Sequence, residues 1–563
     1  MKNNKLLAKL VLFTIIIIGF LLRLIGLNWD QGQHLHPDER FLTMVSSTIS
    51  LPKSIGEYFD TDNSNFNPNN NNFNFYVYGT FPLLIVKFFA QIFNLNSYDQ
   101  IFLVGRVLSA FADTLTILLV FLLTKKIFKN TKSALLSSFL YAICIFSIQQ
   151  SHFFTVDAIT VFLFVLSIYL LISQKTIFSG LFFGIALASK TSIGIVLPFI
   201  FLFILFQNKN YLSNFLNCFL FGLFLLVFFR LFQPYAFEGL FKLSPIFIKN
   251  IHEAHQMITG EIDYPPNVQW QHTLPFVHSI NNLFFVGLGP ITFSLVIISI
   301  FKFLKNKNKF KNWAAILLMV IIFVIFIYHA SLLAQYMRYF YPIFPFLIVF
   351  SGAFIKSFNL KILKILVFLN LLITLAFINI YLFPHSRYQA SEWICNNISS
   401  DKILSSEVWD DSLPINSFSC LSKLYQNQNL PLYDSDSNQK WQIINQQLNK
   451  VDYLILSSNR LWGSIPKNFN KYPKTTIFYQ NLFDNKTNFK LVKKFYSYPG
   501  YYLPFLKKCY LIGSTNYPYK EYKNTFFEID ENCSYPGVYL RDDLAQESFT
   551  VYDHPQVIIF SRL

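Results

Sequence analysis

A run of titratable side chains, His34-Leu35-His36-Pro37-Asp38-Glu39-Arg40, follows closely on the first apolar segment of the chain. Two adjacent carboxylates and two imidazoles, placed where an apolar helix emerges into water, are residue types suited to acid–base chemistry. Comparable groups end other apolar segments: His152 and Asp157 in Ser151-His-Phe-Phe-Thr-Val-Asp157, Lys190 in Ala188-Ser-Lys-Thr-Ser192, and Arg338 in Gln335-Tyr-Met-Arg-Tyr339. An isolated charge at the edge of hydrocarbon is expensive, so each calls for a partner or a purpose. Each also has a plainer reading. Asp38 and Glu39 could merely complement the amino end of a helix starting near Arg40, and Lys190 and Arg338 could merely snorkel. Four separate outer turns that all end in charge favour a shared site.

Cations facing carboxylates at a membrane surface suit a particular reaction. A lipid-linked sugar phosphate offers a leaving phosphate that Lys190 and Arg338 can stabilise, while a carboxylate, Asp38 or Glu39, takes the proton of an acceptor hydroxyl. Pro37 stiffens the turn ahead of Asp38, which favours that residue for a defined geometry, while Glu39 would point elsewhere and pair with Arg40 or tune its neighbour. His36, His152 and Asp157 would contact substrate. Arg106, Ser109 and Asp113 lie at i, i+3 and i+7 and read as a network within a single helix. His252 and His255 are three apart, but two ligands do not make a metal site.

The elements that must position these groups are membrane helices. With 563 residues, 53% hydrophobic, 67 Phe and only 13% charged residues, and a mean hydropathy of +0.39, the chain carries more apolar surface than a soluble fold can hide. About eleven apolar runs are candidates to cross roughly 30 Å of hydrocarbon. They are approximately 10–27, 101–123, 134–148, 156–172, 177–189, 192–206, 215–231, 283–303, 313–328, 339–355 and 362–382, the third, fifth and sixth being short. The first follows Lys2, Lys5 and Lys9 as a signal peptide does, but without a small-residue cleavage site, and reads as a retained helix. Residues 81–93, broken by Pro82 and Lys87, read as interfacial or re-entrant.

Lysine placement gives an orientation. Lys125, Lys126, Lys129, Lys132, Lys175, Lys209, Lys302, Lys305, Lys307, Lys309, Lys311, Lys356, Lys361 and Lys364 fall in alternate loops with no acid among them, which places those loops and the amino terminus in the cytoplasm. Before Pro384 there are 27 cationic against 13 acidic residues, and from Pro384 onward 19 against 17. The basic balance is therefore a topology signal and not a nucleic-acid footprint.

An odd number of spans leaves residues 384–563 outside, together with a first outer loop of about 28–100 and a second of about 233–281. From Pro384 the pattern becomes that of a soluble α/β unit: helix-like 388–396, 439–448 and 472–483 alternate with strand-like 402–408, 452–456 and 489–495. The division is thus 1–383 for the membrane domain and 384–563 for the outer one. Cys395, Cys420, Cys509 and Cys533 lie in this oxidising space without a pairing legible from sequence, whereas Cys144 and Cys218 fall in spans. The asparagine-rich stretch 60–75 has little to bury and reads as mobile.

Leu21-Leu22-Arg23-Leu24 leading to His36-Pro-Asp-Glu39, the stripe from Gly105-Arg106 to Asp113, Gly184 to Lys190, and Met337-Arg-Tyr339 with Pro342 together resemble the GT-C membrane glycosyltransferases. More narrowly, they resemble the branch of protein O-mannosyltransferases, aminoarabinose transferases and bacterial relatives labelled family 39. The resemblance covers roughly residues 10–382. It implies an inverting transfer from a polyprenyl-phosphate sugar at the outer face of the cell membrane, with an acidic base that falls on Asp38 or Glu39 and with Lys190 and Arg338 near the lipid phosphate. The acceptor would be a protein, a lipid or a cell-surface glycan. No cofactor or divalent metal is expected beside the lipid-linked co-substrate, and no nucleic acid. The tail Glu547-Ser-Phe-Thr-Val-Tyr-Asp-His-Pro555 is similar to that of a bacterial subgroup. Two other readings are a transporter or flippase of lipid-linked glycans, which should show repeated halves that are not seen, and a metal-dependent oligosaccharide transferase of the same fold. A bare anchor for the outer domain would leave the charged turns unexplained.

Overall fold

The computed structural model describes residues 2–207, 209–305, 312–353, 359–515 and 526–563. Lys307, Lys309, Lys311 and Lys356 of the expected cytoplasmic loops lie outside the described residues. The chain divides into two units. One comprises residues 1–27, 38–261 and 275–371, and the other 28–37, 262–274 and 372–563.

The first unit is helical, and the chain is a polytopic membrane protein. Among the described residues five helices are long and apolar enough to cross a membrane: Lys5–Leu24, Tyr98–Phe128, Tyr211–Phe232, Trp313–Ser331 and one beginning at Leu360. A sixth counts if Thr131–Ala142 and Ile145–Ser151, bent by 55°, form one broken span. The other apolar runs are shorter helices, including Asp157–Ile172, Thr176–Leu187, Thr191–Phe206 and Met337–Ser351. Twelve-residue Thr176–Leu187 rises only about 18 Å at 1.5 Å per residue, less than the hydrocarbon thickness. Local chemistry sets the ends. The Asn130 side chain accepts from the Lys132 and Ser133 amides to start Thr131–Ala142, and Asn210 accepts from Ser213 to start Tyr211–Phe232, each satisfying donors that a helix leaves open.

The asparagine-rich stretch corrects the sequence reading. Its amides bond locally: Asn67 donates to Thr61 O at 2.7 Å, Asn70 to Ser64 O at 3.0 Å, and Asn71 to Asn65 O at 3.0 Å. Phe66 is fully buried, with the Tyr235 ring 6.3 Å away. Phe73 packs edge-on to Phe41 at 5.7 Å, so a segment poor in aliphatic residues is ordered by side-chain-to-backbone bonding around aromatic anchors.

The second unit is α/β. Five strands run in the order Gln426–Leu430, Ile403–Glu407, Tyr453–Leu456, Val557–Arg562, Phe489–Phe495. The first three are parallel, while Val557–Arg562 is antiparallel to both its neighbours. Ser386–Asn397, Asn438–Leu448 and Pro473–Phe483 are the expected helices. Leu404, Ile455 and Ile559 pack with Ile394 on one side, and Leu454, Leu456 and Ile558 with Tyr479 and Trp462 on the other, the two-sided burial that makes such strands read as continuous apolar runs. A second sheet of four strands, Gly500–Tyr502, Gly537–Leu540, Cys509–Ile512 and Phe527–Asp530, follows. The cysteines pair as Cys395 with Cys420 and Cys509 with Cys533.

Candidate functional site

Pro37 occupies the first position of the helix Pro37–Thr48, where its missing amide proton costs nothing. Asp38 therefore stands in the first turn of that helix. Its carboxylate forms an ion pair with Arg338, from the short turn Met337–Phe340, and both side chains keep about a fifth to a quarter of their surface exposed, at 20% and 24%. The guanidinium carbon of Arg338 lies 5.1 Å from the Tyr336 ring centre and 5.8 Å from that of Tyr339. Lys190 Nζ lies 5.3 Å from the same Tyr339 ring and 2.6 Å from Asp157 Oδ1. Two acid–base pairs, Asp38 with Arg338 and Lys190 with Asp157, are thus joined through the face of one tyrosine, a favourable setting for two cations held close together. The His329 ring packs against Tyr339 at 5.2 Å. Its Nδ1 and the Nε of Arg338 are buried polar atoms without a hydrogen-bond partner among the described residues.

Glu39, next to Asp38, is placed quite differently. It is fully buried and receives Arg106 Nε at 3.0 Å and Nη2 at 2.5 Å, and its Oε2 also accepts the Phe154 amide at 2.6 Å. Arg106 further donates to Leu27 O at 2.7 Å. Asp113 is the centre of a second buried cluster, accepting from Arg23 at 2.6 Å and from the hydroxyls of Tyr141 and Tyr341, both at 2.5 Å. The stripe of Arg106 and Asp113 is therefore not a network within its own helix, as the spacing suggested. Each residue reaches a different helix, and together they pin the Tyr98–Phe128 helix to the elements that carry Asp38 and Arg338. Gly105 and Gly79 permit close approaches here: a Cβ at the first would collide with the Phe154 ring, and one at the second with the Ala188 carbonyl. Backbone bonds from Gly79 N to Ser189 O and from Phe81 N to Ala188 O then fix the turn that ends in Lys190.

Two of the residues expected to contact substrate are packed into the fold. His152 is fully buried, with Nδ1 and Nε2 each 2.8 Å from a carbonyl oxygen, those of Ile148 and Ile25, so the ring is held between two backbone segments. His36 belongs to the second unit, is 2% exposed, and packs against Tyr552 with ring centres 4.2 Å apart and ring planes tilted by 44°. The sequence also gave no role to Tyr336, Tyr339 and His329. The aromatic residues flanking Arg338 in Gln335-Tyr-Met-Arg-Tyr339 are the signal for the first two, whereas His329 sits inside an apolar helix, where a lone histidine says little. His252 and His255 are exposed. Among the described residues, no group of three or more His, Cys, Asp or Glu is gathered so as to hold a metal ion.

The family described as dolichyl-phosphate-mannose-protein mannosyltransferase matches residues 80–234, less than half of the chain. That match contains Arg106, Asp113, Asp157 and Lys190, and it agrees with the GT-C resemblance read from the motifs. No curated protein matches. Among solved structures, the oligosaccharyltransferase of Archaeoglobus fulgidus in complex with Zn and sulfate is similar at 16% identity and a TM-score of 0.45, over 86% of this chain and 72% of that one. ArnT of Cupriavidus metallidurans in the apo state is similar at 11% and 0.42, over 79% and 92%. The Pmt1-Pmt2 O-mannosyltransferase complex of Saccharomyces cerevisiae bound to the sugar donor is similar at 16% and 0.31, over 44% and 34%. All three likenesses are loose.

Proposed function

We propose that this chain is an inverting glycosyltransferase that moves a sugar from a polyprenyl-phosphate donor to an acceptor hydroxyl at the outer membrane face. The observation that carries the reading is the joining of Asp38–Arg338 and Lys190–Asp157 through the Tyr339 ring. The match to a family whose description names a lipid-phosphate sugar donor supports it.

In this mechanism the donor phosphate takes up hydrogen bonds from Arg338 and Lys190. Arg338 thereby exchanges part of its hold on Asp38 for phosphate oxygens, the bidentate geometry guanidinium favours. Asp38, released and still ionised, accepts the proton of the acceptor hydroxyl as its oxygen attacks the anomeric carbon. The bond from that carbon to the phosphate oxygen breaks on the opposite face, the configuration inverts, and the lipid phosphate leaves as an anion held by the two cations. Asp157, 2.6 Å from Lys190 Nζ, keeps that side chain aimed. The isoprenoid chain is lodged in an apolar cavity of about 700 Å³ lined by residues that include Phe199, Phe303, Met319, Phe323 and Phe326. Phe326 in turn packs on Phe340, in the same turn as Arg338.

The topology goes with this reading: amino terminus in the cytoplasm, about eleven membrane crossings when the short and broken helices are counted, and residues 384–563 outside. Purified protein offered a panel of radiolabelled polyprenyl-phosphate sugars should consume at least one and release the lipid phosphate. Consumption of none by folded protein supplied with protein, lipid and glycan acceptors would overturn the proposal.

A further inference from the structure

The tail that the sequence singles out, Glu547 to Pro555, takes no part in that reaction. Its last residues are nevertheless among the most heavily tied in the second unit. The Asp553 carboxylate is shared, Oδ1 lying 2.5 Å from His554 Nδ1 and Oδ2 accepting the Tyr381 hydroxyl at 2.7 Å. His554 Nε2 reaches Asp542 Oδ2 at 2.9 Å, and the rings of Phe549 and Phe377 stand nearly perpendicular to the imidazole at 5.4 and 5.9 Å. Ser386 Oγ donates to Pro555 O at 2.5 Å. Burial works against a charged His554, but Asp553 and Asp542 together outweigh it and push its pKa up to about 10, so the ring stays cationic between two anions.

What this anchored tail holds is the segment 28–37, which belongs to the same unit. Asp30 folds that segment on itself, its oxygens accepting the Gly32 and Leu35 amides at 3.2 Å each. Gln31, Gly32 and His34 take left-handed φ values of 53°, 74° and 52°, which only Gly32 adopts without strain, so the segment needs outside support to keep its shape. That support is present: the His385 amide donates to Gln31 Oε1 at 3.2 Å, Trp29 lies 5.7 Å from the His385 ring, His385 Nε2 is 3.0 Å from Tyr552 O, and the Tyr552 ring packs at a tilt against His36. The chain leaves this segment through Pro37 and enters Asp38.

We infer that Tyr552 is a positioning residue, which with His36 and His385 clamps residues 29–37, the peptide that runs directly into Asp38. This rests on the reading of Asp38 given above. Tyr552 touches neither the donor phosphate nor the acceptor in that reading and acts only through the peptide it holds.

The clamp is tested without reference to turnover by hydrogen exchange of the full-length protein in nanodiscs. Tyr552→Ala should raise exchange of the peptide covering residues 29–37 about tenfold, the order expected for loss of a close aromatic pair. It should leave Asn438–Leu448 unchanged, and Tyr552→Phe, which keeps the ring, should restore protection. Unchanged exchange in Tyr552→Ala, or a Phe variant as loose as Ala, would overturn the inference. If Tyr552→Ala loosens the whole unit, His36→Ala decides: selective loosening of residues 29–37 supports the clamp, and none defeats it. With the donor identified, Tyr552→Ala should lower kcat about tenfold with donor KM unchanged. Wild-type protein that consumes no donor defeats the functional reading but leaves the exchange result standing.

Discussion

Glu39 receives two hydrogen bonds from the Arg106 guanidinium, at 3.0 and 2.5 Å, within an ion pair that has no exposed side-chain surface. Its neighbour Asp38 is partly exposed and faces a cation that a phosphate could claim. Two adjacent carboxylates are thus separated in role by where their helix turn points them. One holds the bundle, and the other is available to chemistry.

The first prediction follows from that contrast. Glu39→Ala should cost about 3–5 kcal/mol of stability, because it leaves Arg106 charged and uncompensated in the interior. Asp38→Asn should cost less than about 1 kcal/mol, as is usual for a pair in contact with water. Denaturant or thermal unfolding of the two variants in the same detergent measures the difference. Equal losses would remove the distinction.

Asp38→Asn should nevertheless abolish most transfer, by about 10²- to 10⁴-fold, the range for a positioned general base. Donor binding should persist, since Arg338 is no longer drawn to an anion. Near-normal turnover of the Asn variant would show that the base lies elsewhere.

Much of this was legible in the sequence. Asp38, Asp157, Lys190 and Arg338 announced themselves as charges at the ends of apolar runs, and the structure brings them together. The strands and helices after Pro384 were visible because their periods change over short, well-bounded stretches. What the sequence withheld was partner choice. Helical spacing suggests that Arg106 and Asp113 face one another, yet burial drives each toward a charge on another helix, Glu39 and Arg23. His152 and His36 read as substrate contacts because they stand with charged residues in outer turns, while the structure sets His152 between two backbone carbonyls and His36 against an aromatic ring, partners that sequence does not reveal. Membrane crossings are hard to count for a similar reason, since Phe-rich runs look continuous where the helix bends, as between Ala142 and Ile145.

The shared tyrosine gives a third prediction. Arg338→Ala and Lys190→Ala should each weaken donor binding by about tenfold or more, in line with losing a charge-assisted hydrogen bond to phosphate. Tyr339→Leu, which removes the ring beneath both cations, should weaken it less, by a few-fold. Fluorescence or calorimetric titration with polyprenyl phosphate alone reads the phosphate contribution without the sugar. Unaltered affinity in both alanine variants would take these cations out of the site.

The last prediction concerns pH and the outer unit. His554 is buried between Asp553 and Asp542, and although burial opposes its charge, the two carboxylates prevail and raise its pKa from 6.5 to about 10. A basic group whose pKa is raised on folding stabilises fully below its unfolded value, so its contribution is complete below about pH 6.5 and is lost as the pH climbs through 10. Asp543 is also raised, to about 7, chiefly by burial and then by Asp542, and its stabilising effect is already lost between the ordinary carboxylate range and neutrality. Between pH 7 and 10, then, His554 gives the wild-type unit a falling stability that Asp543 does not. His554→Gln should be less stable at pH 7, since two carboxylates lose their cation, and should lack that part of the alkaline decline. Hydrogen exchange of the peptide covering residues 546–556, followed from pH 7 to 10 after correction for the intrinsic rate, measures it. Protection that falls with the same slope in wild type and variant would mean that His554 does not carry the charge assigned to it.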